Sequence, residues 1–349
     1  MTSRMYRPVR VVMVSVLLAL AVAALAGCSF KDEEKIWEIS GGIFGTTYNI
    51  NVVLPEDEQR LQTLAKGIQN ELEQVDAAMS TWKEDSELSR LNQKQDQSEW
   101  TPLSEPLFEV IQRGQEIAEL TEGAFDVTIG PLVNLWGFGP EARPVEVPTE
   151  SELAELLAVT GYQYLELDKA AQALRSTKPQ YIDLSGIAKG YGADVVARYL
   201  DRKGVAAYLV EIGGEVRVNG RKPDGGAWRL AIEEPSEDAR QVNKIVAMDR
   251  HSLATSGDYR NYYESDGQRY SHTIDPSTGQ PISNRLASVT VIADDSMTAD
   301  ALATAFTVMG YERAMSLATR ENIPAYFIVR GESGFDTYQT PAFSSYVVQ

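Results

Sequence analysis

Apolar residues follow three patterns along this chain, and each predicts a different kind of element. Residues 11–27, VVMVSVLLALAVAALAG, form an apolar run behind Arg4, Arg7 and Arg10, and the run stops at Cys28. Residues 47–54, TYNINVVL, read as a strand, and then Leu61, Leu64, Ile68, Leu72, Val75 and Met79 recur at the three- and four-residue spacing of a helix. A second helical stripe, with Leu107, Val110, Ile111, Ile117 and Leu120 on one side, covers 106–120. Loops rich in Pro and Gly follow at 137–148 and 220–227. From 164 onward strand-like segments dominate, at 164–167, 207–212, 215–219, 228–234, 244–248, 286–293 and 324–330. Helical patterns interrupt them at 187–202 and 297–310. Strands that do not alternate regularly with helices predict an α+β fold rather than a doubly wound sheet.

The first apolar run is brief for a membrane span of about 20 residues, and its basic start and terminal cysteine mark an export signal. LAGC at 25–28 resembles a bacterial lipobox, in which Cys28 is lipid-modified and becomes the first residue of the mature chain. Ser29, in place of an aspartate, points to the outer membrane's inner leaflet rather than the inner membrane, with the protein facing the periplasm. The chain then divides into a signal at 1–27, a lipid-anchored tether at 28–35 carrying KDEEK, and one domain at 36–349. Cys28 is the only cysteine, so the core must hold the fold without disulfides. The net charge is −18, and loss of the three signal arginines leaves the mature part near −21. Such a surface argues against a nucleic-acid partner, and a phosphate-rich ligand would need a cation or backbone amides to hold it.

Four stretches carry possible chemistry. In DLSGIAKGYGADVV, 183–196, three glycines and a lysine surround a helix start, but Lys189 precedes its glycine, so a Walker A loop is excluded. The helix at 297–309 is apolar or small nearly all round and predicts burial on every face. Asp300 and Thr304 share one side of it. A buried Asp300 must find a cation, a basic side chain or several donors; both a carboxylate bonded to a neighbouring loop and a hard-metal site satisfy that need. In SHTIDPSTGQPI, 271–282, turn chemistry accounts for most residues, while His272 is either structural or a general base. Residues 121–140 mix aromatics and glycines without a period, as a packed loop or a platform for a flat ring system; Trp82 and Phe44 could serve the same end.

Six blocks in this order, FGTTY (44–48), MSTWKEDSELSRLN (79–92), GAFDVTIGPLVNLWGFGP (123–140), IDLSGIAKGYGAD (182–194), SHTIDPSTGQPI (271–282) and TADALATAF (298–306), resemble the ApbE family of flavin transferases. The resemblance implies a T-fold-like architecture of mixed, mainly antiparallel sheets with packed helices and an FAD cleft between two halves. It also implies a Mg²⁺-dependent transfer of FMN from FAD to a threonine of another protein through a phosphoester, with release of AMP. Gly186, Asp300 and Thr304 match the family's Mg²⁺ ligands. Ala124, Phe125, Asp126, Asp183 and Lys189 match positions that hold FAD, and Phe44, Trp82 and Ile274 match residues that contact it. Phe44 stands where many members have methionine, and Lys189 where some have glutamate. His272 is the residue suited to accept the threonine proton. The implied acceptors are subunits of membrane redox complexes such as Rnf or the sodium-pumping NADH:quinone oxidoreductase. Two other activities fit the same site: hydrolysis of FAD to FMN and AMP, and flavin binding without chemistry.

Overall fold

The computed structural model describes residues 33–140, 147–235, 241–258, 262–265 and 268–348. The signal segment and Cys28 lie outside these residues. The chain opens with a hairpin of β1 (Lys35–Ile43) and β2 (Thr46–Leu54). Lys35, expected to end the tether, is already paired with Leu54. Helix α1 (Glu58–Met79) is capped by Asp57, which accepts from the Arg60 amide at 2.9 Å. A short α2 (Glu87–Asn92) and β3 (Thr101–Pro102) lead to α3 (Glu105–Leu120), capped by Ser104 with Pro106 in its first turn. Then come α4 (Gly130–Leu135), α5 (Glu150–Leu157), β4 (Leu165–Asp168), β5 (Ala173–Ser176) and α6 (Ala188–Arg202). The remainder holds β6 (Tyr208–Ile212), β7 (Glu215–Asn219), β8 (Trp228–Glu233), β9 (Val242–Met248), β10 (Ser252–Gly257), β11 (Tyr262–Ser265), β12 (Gln268–Ser271), β13 (Leu286–Ala293), α7 (Ser296–Arg320), β14 (Ala325–Arg330) and β15 (Phe335–Gln339).

Eight strands form one open sheet in the order β1-β2-β6-β7-β10-β13-β14-β15, and every neighbouring pair in it is antiparallel. This is the mainly antiparallel architecture expected; three of the seven pairings, β1–β2, β6–β7 and β14–β15, are hairpins, and the other four join strands distant in the chain. One face of the sheet carries the helices. Ile50, Val52, Val210 and Ile212 pack on Leu64, Ile68 and Leu72 of α1 and on Val196 and Leu200 of α6. Val289, Val291 and Phe327 pack on α7 and α3. A bulge between Leu286 and Ser288 lets Leu286 join Val289 and Val291 on that face, which strict alternation would forbid. The opposite face, with Val216, Val218, Ile292 and Ile328, is closed by the β8–β9 hairpin and Phe343.

Helix α7 runs on past residue 310, where the apolar pattern predicted its end. Gly310, at φ 72°, breaks the helical geometry, and a second segment continues to Arg320. Phe306 is fully buried and stacks on Phe327 at 6.3 Å between centroids. Burial of a side chain of this size stabilises the fold by about 2–3 kcal/mol, enough to fix the register of α7 on the sheet and hence the heights of Asp300 and Thr304.

Candidate active site

Helices α6 and α7 run antiparallel along a shared seam, and glycine sets how closely they approach. A Cβ on Gly190 would fall on the carbonyl of Ser296, so only glycine allows this approach. The contact brings the Gly190 amide to 3.0 Å from Asp300 Oδ2, to which it donates. One turn along, the bend before α6 places Gly186 against Thr304: a Cβ built on Gly186 would lie 3.3 Å from Thr304 Oγ1 and 3.2 Å from the Phe125 ring. Gly186, Asp300 and Thr304 are thus brought together. Asp300 is 2 % exposed, and burial raises its pKa against the pull of Lys189 and the Gly190 amide. Ile187 itself makes no side-chain cap bond; the Asp300 carboxylate, through the Gly190 amide, sits at the positive end of α6 instead.

Lys189 projects from that first turn and stands between two carboxylates. Its Nζ is 3.3 Å from Glu215 Oε1 and 3.7 Å from Asp300 Oδ2. Burial would lower the lysine pKa, but the two carboxylates together hold it above the ordinary value. Glu215 is aimed inward by the two-residue turn between β6 and β7. Gly213 and Gly214 both take positive φ (58° and 102°), which glycine adopts without strain, and a Cβ on Gly213 would lie 3.3 Å from the Lys189 stem. Burial pushes the Glu215 carboxyl up from its ordinary range, while the Lys189 ammonium pulls it back toward the charged form. Nothing in the sequence reading singled out Glu215. It opens a strand pattern, and its only signal was the Gly-Gly pair before it.

The neighbouring β1–β2 turn contributes Phe44, held at φ 53° with its ring against Gly192 on α6. Such a backbone angle in an aromatic residue is strained. Asp183 accepts from the Ser185 amide at 2.7 Å, and its own amide donates to the Val127 carbonyl at 2.8 Å, which ties the 123–140 segment to the start of α6. Asn92 bonds both the amide and the carbonyl of Ile182 at 2.8 Å, so the 79–92 segment is fastened to the same stretch of chain before α6. Trp82, in that segment, is 70 % exposed. Ala124 and Phe125 are buried. Asp126 is buried too, but its oxygens are taken by the Thr128 amide and hydroxyl (2.8 and 2.7 Å) and by the Tyr162 amide (2.9 Å). Its side chain therefore shapes the loop, and the loop's backbone is what remains for a ligand.

His272 and Ile274 belong to a second group. Ile274 packs with Leu132, Trp136 and Leu153, and the His272 ring meets Phe138 edge-on at 6.4 Å. Trp136 Nε1 donates to the Gly279 carbonyl at 2.7 Å, docking the 271–282 turn on the 123–140 segment. That segment is part helical, since α4 occupies 130–135, whereas its composition predicted a loop. All six sequence blocks are therefore joined by direct contacts, with 182–194 touching four of the others. A cavity of about 330 Å³ between Leu120–Glu122 and the second half of α7 contains none of these residues.

One carboxylate, one hydroxyl and a backbone carbonyl suit a hard cation such as Mg²⁺ rather than a thiolate- or imidazole-bound metal. Among the described residues no three His, Cys, Asp or Glu side chains cluster as a metal site. Such a cation would fit this donor set, since Asp300, buried and bonded to a single amide among the described residues, keeps acceptor capacity.

The ApbE family model matches residues 44–327. The FAD:protein FMN transferase of Vibrio cholerae is 49 % identical over 333 residues, covering 95 % of this chain and 98 % of that one. The solved flavin transferase ApbE from Vibrio cholerae superposes with a TM-score of 0.82 at 47 % identity, covering 90 % of this chain and 99 % of the other. The apo form of Pseudomonas stutzeri flavinyl transferase ApbE gives 0.82 at 40 % identity, covering 90 % and 97 %. With the match running from the Phe44 turn through α7 into β14, and relatives aligned along nearly their whole length, the chain belongs to the ApbE family.

Proposed function

We propose that this protein transfers FMN from FAD to a threonine of an acceptor protein, in a Mg²⁺-dependent reaction that releases AMP. The observation that carries the reading is the meeting of Gly186, Lys189, Asp300 and Thr304 at one helix seam, in a chain so similar to FAD:protein FMN transferases. The threonine oxygen attacks the phosphorus on the FMN side of the pyrophosphate. The new P–O ester forms as the P–O bond to the AMP phosphate breaks, and the hydroxyl proton passes to a base, the role we give to His272.

Mg²⁺, held by Asp300, Thr304 and the Gly186 carbonyl, would neutralise charge on the pyrophosphate. The chain's own groups do the rest. The Lys189 ammonium, at the positive end of the α6 dipole, attracts the phosphates to an acidic protein. Phe44, Phe125, Ile274 and Trp82 give the isoalloxazine apolar area, and backbone at Ala124–Asp126 and Asp183 orients it.

Incubation with FAD, Mg²⁺ and a candidate acceptor, followed by mass measurement, tests the reading. An acceptor heavier by one FMN is expected. Free FMN and AMP without acceptor gain would make the protein a hydrolase, and intact FAD a carrier. Subunits of Rnf or of the sodium-pumping NADH:quinone oxidoreductase are the acceptors to try first. We further propose anchoring through lipid on Cys28, on a membrane face toward the periplasm. Among the described residues no helix is long and apolar enough to cross a membrane. Cys28→Ser should move the protein from the membrane to the soluble fraction on cell fractionation.

A further inference from the structure

The transfer chemistry above leaves Glu215 without a task. Its carboxylate is 4 % exposed; Oε1 faces Lys189 at 3.3 Å, while the buried Oε2 has no hydrogen-bond partner among the described residues. A buried acceptor without a donor is costly, and a glutamine there would remove the charge with little change of shape. Lys189, meanwhile, is shared: Asp300 at 3.7 Å, Glu215 at 3.3 Å and the Ser185 carbonyl at 3.5 Å all attract its ammonium. A divalent cation on Asp300 would stand beside that ammonium and repel it, because two positive centres cannot share one carboxylate at low cost in a poorly solvated site. The ammonium then needs a second anchor within reach of its stem. The unpartnered oxygen of Glu215 is that anchor, and the Gly213–Gly214 turn, packed on the lysine stem, fixes its position.

We propose that Glu215 is a positioning residue, which draws the Lys189 ammonium off Asp300 so that a divalent cation and the lysine occupy the site together. This rests on the reading of Asp300 as a Mg²⁺ ligand. Lys189 acts as a toggle: paired with both carboxylates in the absence of the cation, and with Glu215 alone once the cation binds.

The test needs no activity. Binding of Mn²⁺ to the purified flavin-free protein is followed by the electron paramagnetic resonance signal of the free ion. Asp300→Ala should lose the site. Glu215→Gln should weaken Mn²⁺ binding roughly tenfold, the scale of coupling between adjacent sites, since Lys189 is left with Asp300 as its only carboxylate. Glu215→Asp, which keeps the charge but shortens the reach, should fall between wild type and Glu215→Gln and guards against a fold defect in Glu215→Gln. Lys189→Met removes the competitor, and in that background Glu215→Gln should change affinity by less than about twofold. An equal loss in both backgrounds would mean that Glu215 acts on the ion directly or through the fold, and would overturn the proposal, as would unchanged binding in Glu215→Gln. If the wild type binds no Mn²⁺, or Asp300→Ala binds it as well as wild type, the metal reading itself fails and takes the proposal with it.

Discussion

Two aspartates, Asp194 and Asp300, lie buried along the same seam between α6 and α7, and they are satisfied in opposite ways. Asp194 accepts from the Ser296 amide (2.9 Å), the Met297 amide (2.9 Å) and Arg217 Nη1 (2.7 Å), so both of its oxygens are used in starting α7. Asp300 accepts one amide hydrogen bond among the described residues, from Gly190, and shares a lysine at 3.7 Å. The first arrangement is closed and leaves nothing to bind. The second holds a carboxylate in low dielectric with a movable counter-charge, which is what a site for a transient cation requires. Burial alone does not separate structure from function; the completeness of the partner set does.

The sharpest way to break this contrast is to remove each carboxylate in turn. Asp300→Ala should lower Mg²⁺-dependent AMP release from FAD at least about a hundredfold, the scale of losing one preorganised electrostatic group, while thermal melting stays near that of the wild type. Full activity in this variant would sink the metal assignment. Asp194→Ala should do the reverse. It leaves Arg217 without its carboxylate and two α7 amides uncapped, and should cost about 3 kcal/mol in denaturant unfolding. Protein that remains folded should keep its Mn²⁺ affinity.

A third experiment uses pH. Burial raises the Asp194 carboxyl to about 6, with Arg217 and the two amides restraining the rise. The folded state then holds the proton more tightly than the unfolded chain, whose aspartates titrate near 3.9. The stability from this group is fully present below about pH 4 and is lost as pH rises through about 6. The swing is about 3 kcal/mol. Across pH 4–7 the wild type should lose about that much stability relative to Asp194→Asn; parallel curves would show that the carboxyl is ionised throughout.

How much of this was legible beforehand divides along similar lines. Elements with a strong period, α1, α3 and the apolar strands of the sheet, were readable because one buried face writes itself into the sequence. β10, SLATSG, sits between β7 and β13 in the same sheet and went unseen, because its small and polar residues are buried by neighbours and not by their own hydrophobicity. β1 was hidden by the charges of the tether. In the site, Asp300 was legible as a carboxylate in an apolar helix that had to find partners, and it did find a lysine and an amide. Glu215 was not legible, since its burial depends on a glycine turn bending one strand end onto a helix from a different part of the chain. For Asp126 the sequence offered a carboxylate beside aromatics but not that its oxygens serve Thr128 and Tyr162.

The smallest effect is also the cleanest separation of binding from folding. Trp82 is the most exposed large apolar side chain among the described residues, and it leads a segment whose other end, Asn92, is locked to Ile182. An exposed indole contributes little to the fold, so Trp82→Ala should change unfolding free energy by no more than about 0.5 kcal/mol. If the indole lies against the flavin, its loss should weaken FAD binding by about 1 kcal/mol, or five- to tenfold, in a fluorescence titration of the flavin. Weaker binding at unchanged stability would extend the logic of Asp300 from charge to surface: a residue whose environment is incomplete in the free protein is completed by the substrate. Unchanged FAD affinity would take Trp82 out of the site and leave the flavin to Phe44, Phe125 and Ile274.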